Sequence, residues 1–322
     1  MINIGIIGLG NVTLVMHLPI LLSRDDLNIS WICDTKNDVN NICGKKKIPF
    51  FNELDDALEK KIPELVLITA PYFQRMKIFK KLENKVSGIY FEKPFALNLK
   101  EYLDFSKNFE NYALTVGYQR RSLGIVQTLK KIIDNKTFGA LNAISINFGD
   151  IHYNYGGFRS NKLMAGGGIF LESGSHWIDA ALFISGAKKI DNFTKKVKYV
   201  DELDVHGEGE FNIIDNSNNK IKCNFKCTVL ENTTNKIDFK FNNCTIELFL
   251  FDDNSKLSIT NNSAQKFYIE DSVMENFPND SLSQGSSYWN TFVNSYKNKK
   301  TSYTSINEFL LTTQVIEHFY DK

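Results

Sequence analysis

Between residues 166 and 179 the chain reads Gly-Gly-Gly-Ile-Phe-Leu-Glu-Ser-Gly-Ser-His-Trp-Ile-Asp. The three glycines allow the backbone to lie close against a ligand, and the run behind them is helical in character. On a helix Glu172 and His176 stand four apart and His176 and Asp179 three apart, so the three side chains share one face. A carboxylate next to an imidazole behind a glycine loop suits proton transfer near neutral pH, a step that contributes roughly 10²–10⁴-fold in rate. By itself the stretch reads equally well as an ordinary helix with a solvated Glu and His.

A second signal lies at the N-terminus. An apolar run, Ile2-Asn3-Ile4-Gly5-Ile6-Ile7, meets Gly8-Leu9-Gly10, and a helix-like stretch through Leu18, Leu21 and Leu22 follows. Gly8 would allow the tight turn and Gly10 the close approach of backbone to a pyrophosphate at a helix N-terminus. The third position of that fingerprint is Thr13 rather than Gly or Ala. A second apolar run, 29–33, ends in Asp34, where a dinucleotide ribose 2′-hydroxyl would be bound. Asp34 would repel a 2′-phosphate, so NAD(H) is the expected cofactor. Lys36 offers a cation that would tolerate NADP(H).

These residues need elements to carry them. The 322 residues suffice for a full core and suggest two domains. From 1 to about 120, apolar runs at 3–7, 29–33, 65–69, 88–91 and 113–117 alternate with helical stretches that include 53–60, 74–82 and 99–109. Such alternation predicts a parallel sheet with helices on both faces, whose carboxyl ends bring Gly8, Asp34, Thr69 and Glu92 together. From 121 to 322 a helix at 123–135 leads into strand-like runs at 141–148, 204–213, 220–228, 236–241, 245–251 and 256–260. They are joined by Asn- and Asp-rich turns such as 242–243 and 252–255, as antiparallel strands would be. A helix at about 169–185 interrupts them. Near the end Tyr288, Phe292 and Tyr296 repeat every four residues, and Ser305-Ile306-Asn307-Glu308 reads as a capping box opening a helix to 319. The fold class is therefore an N-terminal α/β dinucleotide-binding domain (1–120) followed by an α+β domain (121–322) on an open, mostly antiparallel sheet.

Composition narrows the function classes. The formal net charge is +1 and no strongly basic stretch stands out, which argues against nucleic-acid and membrane partners. No apolar run approaches membrane-spanning length. Five cysteines, at 33, 43, 223, 227 and 244, form no CxxC pair and no zinc spacing, so reduced thiols in a cytoplasmic protein are expected. Lys, Asn, Ile and Phe are heavily used, as in AT-rich bacterial genomes. Against that background the five arginines, 24, 75, 120, 121 and 159, mark places where a planar bidentate donor is useful.

Taken together the motifs resemble the Gfo/Idh/MocA oxidoreductase family. The markers are Gly5-Ile6-Ile7-Gly8-Leu9-Gly10, Thr69-Ala70-Pro71, Glu92-Lys93-Pro94, Gly117-Tyr118-Gln119-Arg120-Arg121 and the 166–179 stretch. The resemblance implies a Rossmann domain, an α+β domain whose open sheet builds a homodimer or homotetramer, and hydride transfer between NAD(P) and a carbon bearing hydroxyl or carbonyl on a sugar or polyol. Carried over by position, Lys93 is implied to polarise the substrate oxygen, and His176 to act as general base or acid. Glu172 occupies a position that is usually Asp. Gly8, Gly10, Asn11 and Val12 are implied at the pyrophosphate, Asp34 at the adenosine ribose, Thr69, Ala70 and Pro71 at the adenine side, and Glu92, Lys93 and Gln119 at the nicotinamide half. Lys93, Arg120, Tyr153, Arg159, Glu172 and His176 are the expected substrate contacts.

The chemistry supports that assignment independently of the family. Oxidising a secondary alcohol releases a hydroxyl proton. A lysine ammonium beside the forming oxyanion lowers the cost of its charge in a site with little water. Other constellations fall away: Glu172 and His176 lack ligand spacing with His152 or His206, so no metal is expected, and Ser173 and Ser175 are too close along one helix to pair with His176 as nucleophiles. The loop His152-Tyr153-Asn154-Tyr155 with Arg159 lines a substrate pocket or simply packs on the second domain. Two other functions remain compatible: a dehydrogenase or reductase of a nucleotide-linked sugar in surface-polysaccharide synthesis, and a non-catalytic dinucleotide-binding regulator.

Overall fold

Runs such as Leu65-Val66-Leu67-Ile68 have no polar face, so they are stable only as strands covered on both sides. In the computed structural model, which describes residues 1–36, 40–106, 113–250, 257–269 and 281–321, that is where they sit. The chain divides into two compact units. The first comprises Met1–Ala96, Lys100–Tyr118 and Gly285–Asn307. The second comprises Leu97–Leu99, Gln119–Gln284 and Glu308–Lys322.

The first unit is built on β1 (Ile2–Ile7), β2 (Leu27–Cys33), β3 (Phe50–Phe51), β4 (Leu65–Ile68), β5 (Gly88–Phe91) and β6 (Ala113–Val116). They form one parallel sheet in the order β3-β2-β1-β4-β5-β6. That is the doubly wound order, with its switch point between β1 and β4. The connecting helices are α1 (Leu18–Leu22), α2 (Asn40–Lys46), α3 (Leu54–Lys60), α4 (Tyr72–Leu82) and α5 (Leu99–Ser106). Every residue of β4 and β5 is buried. The end of the expected helix, 107–109, lies outside the described residues.

In the second unit α6 (Gly124–Asp134) precedes β7 (Leu141–Gly149), and a short α7 (Lys162–Ala165) leads to α8 (Ser175–Ser185). Then follow β8 (Ala187–Val200), β9 (Leu203–Asp215), β10 (Lys220–Thr228), β11 (Lys236–Phe241), β12 (Cys244–Leu248), β13 (Leu257–Asn261) and β14 (Lys266–Ile269). The eight-stranded sheet runs β14-β13-β12-β11-β7-β10-β9-β8, and β7 with β10 is its one parallel pair among the described residues. The sequence pattern misses β8 and β14 altogether. Both are edge strands, and β8 carries Lys188, Lys189, Lys195, Lys196 and Lys198, a charge pattern that protects an exposed edge while hiding the period of a strand. The expected turn at 252–255, and the ends of its flanking strands at 251 and 256, lie outside the described residues.

Three local departures have physical reasons. The helix expected over 169–185 starts as a π-turn, Phe170–Gly174, and becomes α8 only at Ser175. Asp179, three residues beyond His176 on α8, is buried and committed elsewhere: its carboxylate is gripped by Arg121 through Nε at 2.8 Å and Nη2 at 2.7 Å and by the Thr312 hydroxyl at 2.8 Å. Removing one partner of such a buried pair typically costs about 3–5 kcal/mol. The capping box at 305–308 does not form, because the Ser305 hydroxyl accepts from Ser302 N at 2.8 Å. The chain passes through a 3₁₀ turn, Ile306–Phe309, before α10 (Leu310–Tyr320) begins.

The repeat at 288–296 lies on α9 (Ser281–Asn298), and its buried face serves the first unit. Trp289 stacks on Tyr90 of β5 at 4.5 Å, and Tyr288 and Phe292 are buried beside it. No described helix is long and apolar enough to cross a membrane.

Candidate functional site

On the first unit the site is built at the carboxyl ends of β1, β2, β4 and β5. Gly8 has φ +98°, and a Cβ there would lie 2.6 Å from Thr69 Oγ1 and 2.8 Å from Ala70 N, so only glycine fits the turn. Thr13, at the position where the fingerprint usually has a small residue, is fully buried. Its hydroxyl lies 3.0 Å from the Gly8 carbonyl oxygen and 2.7 Å from the Thr69 hydroxyl. Thr69 in turn donates to the Gly8 carbonyl at 2.8 Å. The threonine thus ties the turn to the end of β4, and the helix opens as a π-turn, Thr13–His17, before α1. A Cβ on Gly10 would meet nothing within 4 Å. Asp34 accepts from Leu9 N at 2.6 Å and from Lys36 N at 2.8 Å, which fixes its carboxylate at the glycine turn with lone pairs left for a hydroxyl donor.

The Glu92-Lys93-Pro94 turn follows β5 and is held from two sides. Trp289 Nε1 donates to His17 Nδ1 at 3.0 Å, which leaves the proton on Nε2 for Glu92 Oε1 at 2.9 Å. Glu92 Oε2 accepts from Lys93 N at 3.2 Å. On the other side the buried Arg75 donates Nε to the Ala70 carbonyl at 2.9 Å, Nη1 to the carbonyls of Glu92 and Pro94, and Nη2 to that of Lys93 at 3.4 Å. One guanidinium therefore joins the Thr69-Ala70-Pro71 turn to the Lys93 turn, the rigid fork geometry that a lysine could not supply. Glu92 is a buried support, and Lys93 is half-buried on a pinned backbone. Sequence reasoning missed His17 outright and marked Arg75 as a site for a planar donor without placing it beneath this turn. Arginine scarcity was the available signal for the second; a lone His on an apolar helix face gave none for the first.

On the second unit the glycine loop is fastened by Asp204, another residue the sequence did not single out. Its Oδ1 accepts from Gly168 N at 2.5 Å and from the Tyr320 hydroxyl at 2.7 Å, and its Oδ2 from Phe170 N at 2.8 Å. Burial holds this carboxyl above its ordinary range, although those three donors pull the other way. A Cβ on Gly168 would lie 2.2 Å from the Asp204 carbonyl oxygen, so backbone meets backbone there. The π-turn that follows leaves Glu172 and His176 half-buried while Leu171, Gly174, Ser175 and Trp177 turn inward. π-turns recur at functional sites, and here the widened turn falls between the fastened loop and the imidazole. Glu172 Oε1 accepts from Arg159 Nε at 3.1 Å. Tyr153 stands edge-on to Tyr155 at 4.8 Å, and the Tyr155 hydroxyl donates to the Asp204 carbonyl at 3.1 Å.

The expected residues thus fall into two sets. Gly8, Gly10, Asn11, Val12, Asp34, Thr69, Ala70, Pro71, Glu92 and Lys93 belong to the first unit; Gln119, Arg120, Tyr153, Arg159, Glu172 and His176 belong to the second. Gln119 is buried in the 3₁₀ turn Gln119–Ser122, and Arg120 Nη1 donates to the Leu250 carbonyl at 2.8 Å. A cavity of about 620 Å³, lined among others by Ser87, Phe292, Lys299 and Thr304, contains none of the expected residues. The open glycine turn, the fixed Asp34 and the hydroxyl lacing at Thr13 and Thr69 suit the pyrophosphate and ribose of a dinucleotide.

A doubly wound parallel sheet with a glycine turn after β1 and an acid after β2, followed by an α+β unit, is the architecture of a dinucleotide-dependent oxidoreductase. Residues 2–119 match the model of the oxidoreductase family with an NAD-binding Rossmann fold, GFO_IDH_MocA, and residues 126–247 match the GFO/IDH/MocA C-terminal domain. The chain belongs to the Gfo/Idh/MocA family and is an NAD(P)-dependent oxidoreductase. No curated protein matches the sequence.

Similar solved structures include an oxidoreductase from Agrobacterium radiobacter in complex with NAD⁺, L-tartaric acid and magnesium (16% identity, TM-score 0.80, covering 98% of this chain and 94% of that one). A 3-ketoreductase from Actinomadura kijaniata in complex with NADP and TDP-benzene is similar at 14% identity and TM-score 0.81, covering 98% and 96%. An aldose–aldose oxidoreductase from Caulobacter crescentus complexed with glycerol is similar at 15% identity and TM-score 0.83, covering 99% and 96%.

Proposed function

We propose that the protein transfers hydride between NAD(H) and a secondary alcohol or ketone carbon of a sugar, polyol or sugar derivative. The observation that carries this reading is the Lys93 turn, whose backbone is pinned by Arg75 and by the His17–Glu92 pair at the carboxyl end of β5. The nicotinamide, when bound, supplies the two-electron acceptor or donor. Lys93 places an ammonium at the substrate oxygen, where negative charge develops. His176 accepts the hydroxyl proton in the direction of oxidation and returns it in reduction, since an imidazole exchanges protons near neutral pH. Glu172 holds the imidazole's tautomer or meets a substrate hydroxyl.

A sugar ligand is supported by the aldose–aldose oxidoreductase and the 3-ketoreductase among the similar structures. The second of these gives weight to a nucleotide-linked sugar. Mixing purified protein with NAD⁺ or NADP⁺ and a panel of polyols and sugars, while reading nicotinamide absorbance, tests the reading; a flat trace across the panel in both directions would overturn it. NAD(H) is favoured because the Asp34 carboxylate is fixed where a 2′-phosphate would be repelled. Calorimetric titration is expected to give the tighter binding with NADH, and a clear preference for NADPH would sink the role of Asp34.

Assembly as a homodimer or homotetramer through the open sheet belongs to the same reading, and light scattering after gel filtration measures it. The five cysteines are free and buried, which fits a reducing cytoplasm.

A further inference from the structure

Five of the 38 basic residues are arginines, and four of them are committed to the fold. Arg24 fork-binds Asp26 through Nε and Nη2, both at 2.9 Å. Arg75 is spread over four carbonyls, Arg121 grips Asp179, and Arg120 donates to the Leu250 carbonyl. Arg159 differs. Its Nε donates to Glu172, but its Nη1 and Nη2 have no acceptor among the described residues, and its side chain is 43% exposed.

A guanidinium has five N–H donors in a planar fork, so the open end of Arg159 presents the pair of nitrogens that takes both oxygens of a carboxylate or phosphate. A second observation points the same way. The Tyr153 hydroxyl is buried and finds no hydrogen-bond partner among the described residues. Burial, and next the field of Glu172, push its pKa well up, so it is a donor at every working pH, and Arg159 lies within its electrostatic reach. Buried polar groups are rarely left unsatisfied, and a ligand oxygen is the partner this hydroxyl lacks. The neighbouring Glu172, half-buried, is an acceptor suited to hydroxyls.

We propose that Arg159, joined by Tyr153, anchors an anionic group of the substrate: the carboxylate of a sugar acid or the phosphate of a sugar phosphate or nucleotide-linked sugar. The word substrate rests on the function proposed above; the binding itself does not.

Calorimetry on the enzyme–NADH complex with matched aldoses, aldonates and aldose phosphates tests the anchor. Wild-type protein is expected to bind one anionic series about ten- to hundredfold more tightly than the neutral one, the range of a charge-assisted hydrogen bond. Tighter aldonate binding identifies a carboxylate, tighter aldose phosphate binding a phosphate. Arg159→Gln should abolish the difference, Arg159→Lys should restore part of it, and Tyr153→Phe should weaken the anion alone, all with unchanged melting temperature. Equal binding of neutral and anionic compounds, or variants that weaken both alike, would overturn the anchor. Turnover of the same compounds separates the two claims: anion-selective binding with no turnover keeps the anchor and defeats hydride transfer, whereas turnover with no anion preference does the reverse.

Discussion

Among single residues, Lys93 carries the most exposed part of the proposed chemistry. Its backbone is held by groups that spend buried hydrogen bonds on doing so, so the side chain can be removed without collapsing the turn. Lys93→Ala is expected to lower turnover by about 10²-fold or more, the usual loss for one donor to a developing oxyanion, while NADH binding by calorimetry stays close to wild type. Near-wild-type turnover would exclude the ammonium from the chemistry. His176 and Glu172 make a paired claim. His176→Ala should remove the neutral-pH limb of the rate profile and Glu172→Gln should shift it, because a carboxylate near an imidazole stabilises the imidazolium or fixes its tautomer. The bond from Arg159 to Glu172 gives the carboxylate a second loyalty, so a double-mutant cycle on turnover is the deciding measurement: simple additivity means that the two do not act as a coupled pair.

At the scale of elements, the loop at 166–168 and the π-turn after it act together. Asp204 from the start of β9 satisfies the backbone N–H groups of Gly168 and Phe170, which no helical turn could do at those positions. Gly168→Ala would drive a methyl group into the Asp204 backbone, a contact with no flexible end to yield. The expected result is a loss of roughly 1–3 kcal/mol in chemical denaturation together with lower turnover, since the displaced loop leads directly into the π-turn and helix on which Glu172 and His176 sit. A variant of wild-type stability would show that the clasp does not hold the loop. The glycines of this stretch were legible as a loop in the sequence. Their partner was not, because Asp204 lies 36 residues away in a strand whose pattern gives no hint that its carboxylate turns inward.

Over the whole molecule, each unit holds a carboxylate that ties segments together, distant ones in the first unit and neighbouring strands in the second. Asp26, before β2, is tied to Arg24 and to Lys297 at the end of α9, 271 residues away. Burial is the largest single influence on its pKa and pushes it up, but the hydrogen bonds and charges of those two cations together outweigh it and bring it down to about 2. In the second unit burial likewise opposes Lys236, Lys266 and Ser258, which bring Glu247 down to about 2. Both folded pKa values lie below those of the unfolded chain, so the stabilisation is complete above about pH 4–5 and lost as pH falls towards 2. Urea denaturation of Asp26→Asn and Glu247→Gln is expected to show both variants weaker than wild type at pH 7, with the difference shrinking steadily as the pH is lowered through that window. A difference independent of pH would mean that the carboxylate charges contribute nothing. Asp26 and Glu247 are half-buried and still reached by water, which screens their ion pairs, so the effect of each is small.

Short-range pattern along the chain was enough for the features that need only neighbours. The glycine turn after β1, the acid after β2 and the lysine after β5 were readable because a parallel sheet requires apolar runs and places whatever follows them at one edge. The α+β character of the second half was readable from its alternating runs, except where the lysines of β8 masked the period. Tertiary structure decided what depends on partners remote along the chain. It placed α9 with the first unit, set Arg75 beneath the Lys93 turn, gave Asp179 to Arg121 rather than to His176, and turned one expected helix into a π-turn followed by α8. The first of these buries an aromatic face, and the others satisfy a buried charge or an orphaned backbone group; such needs arise only once the chain has folded and water has been excluded.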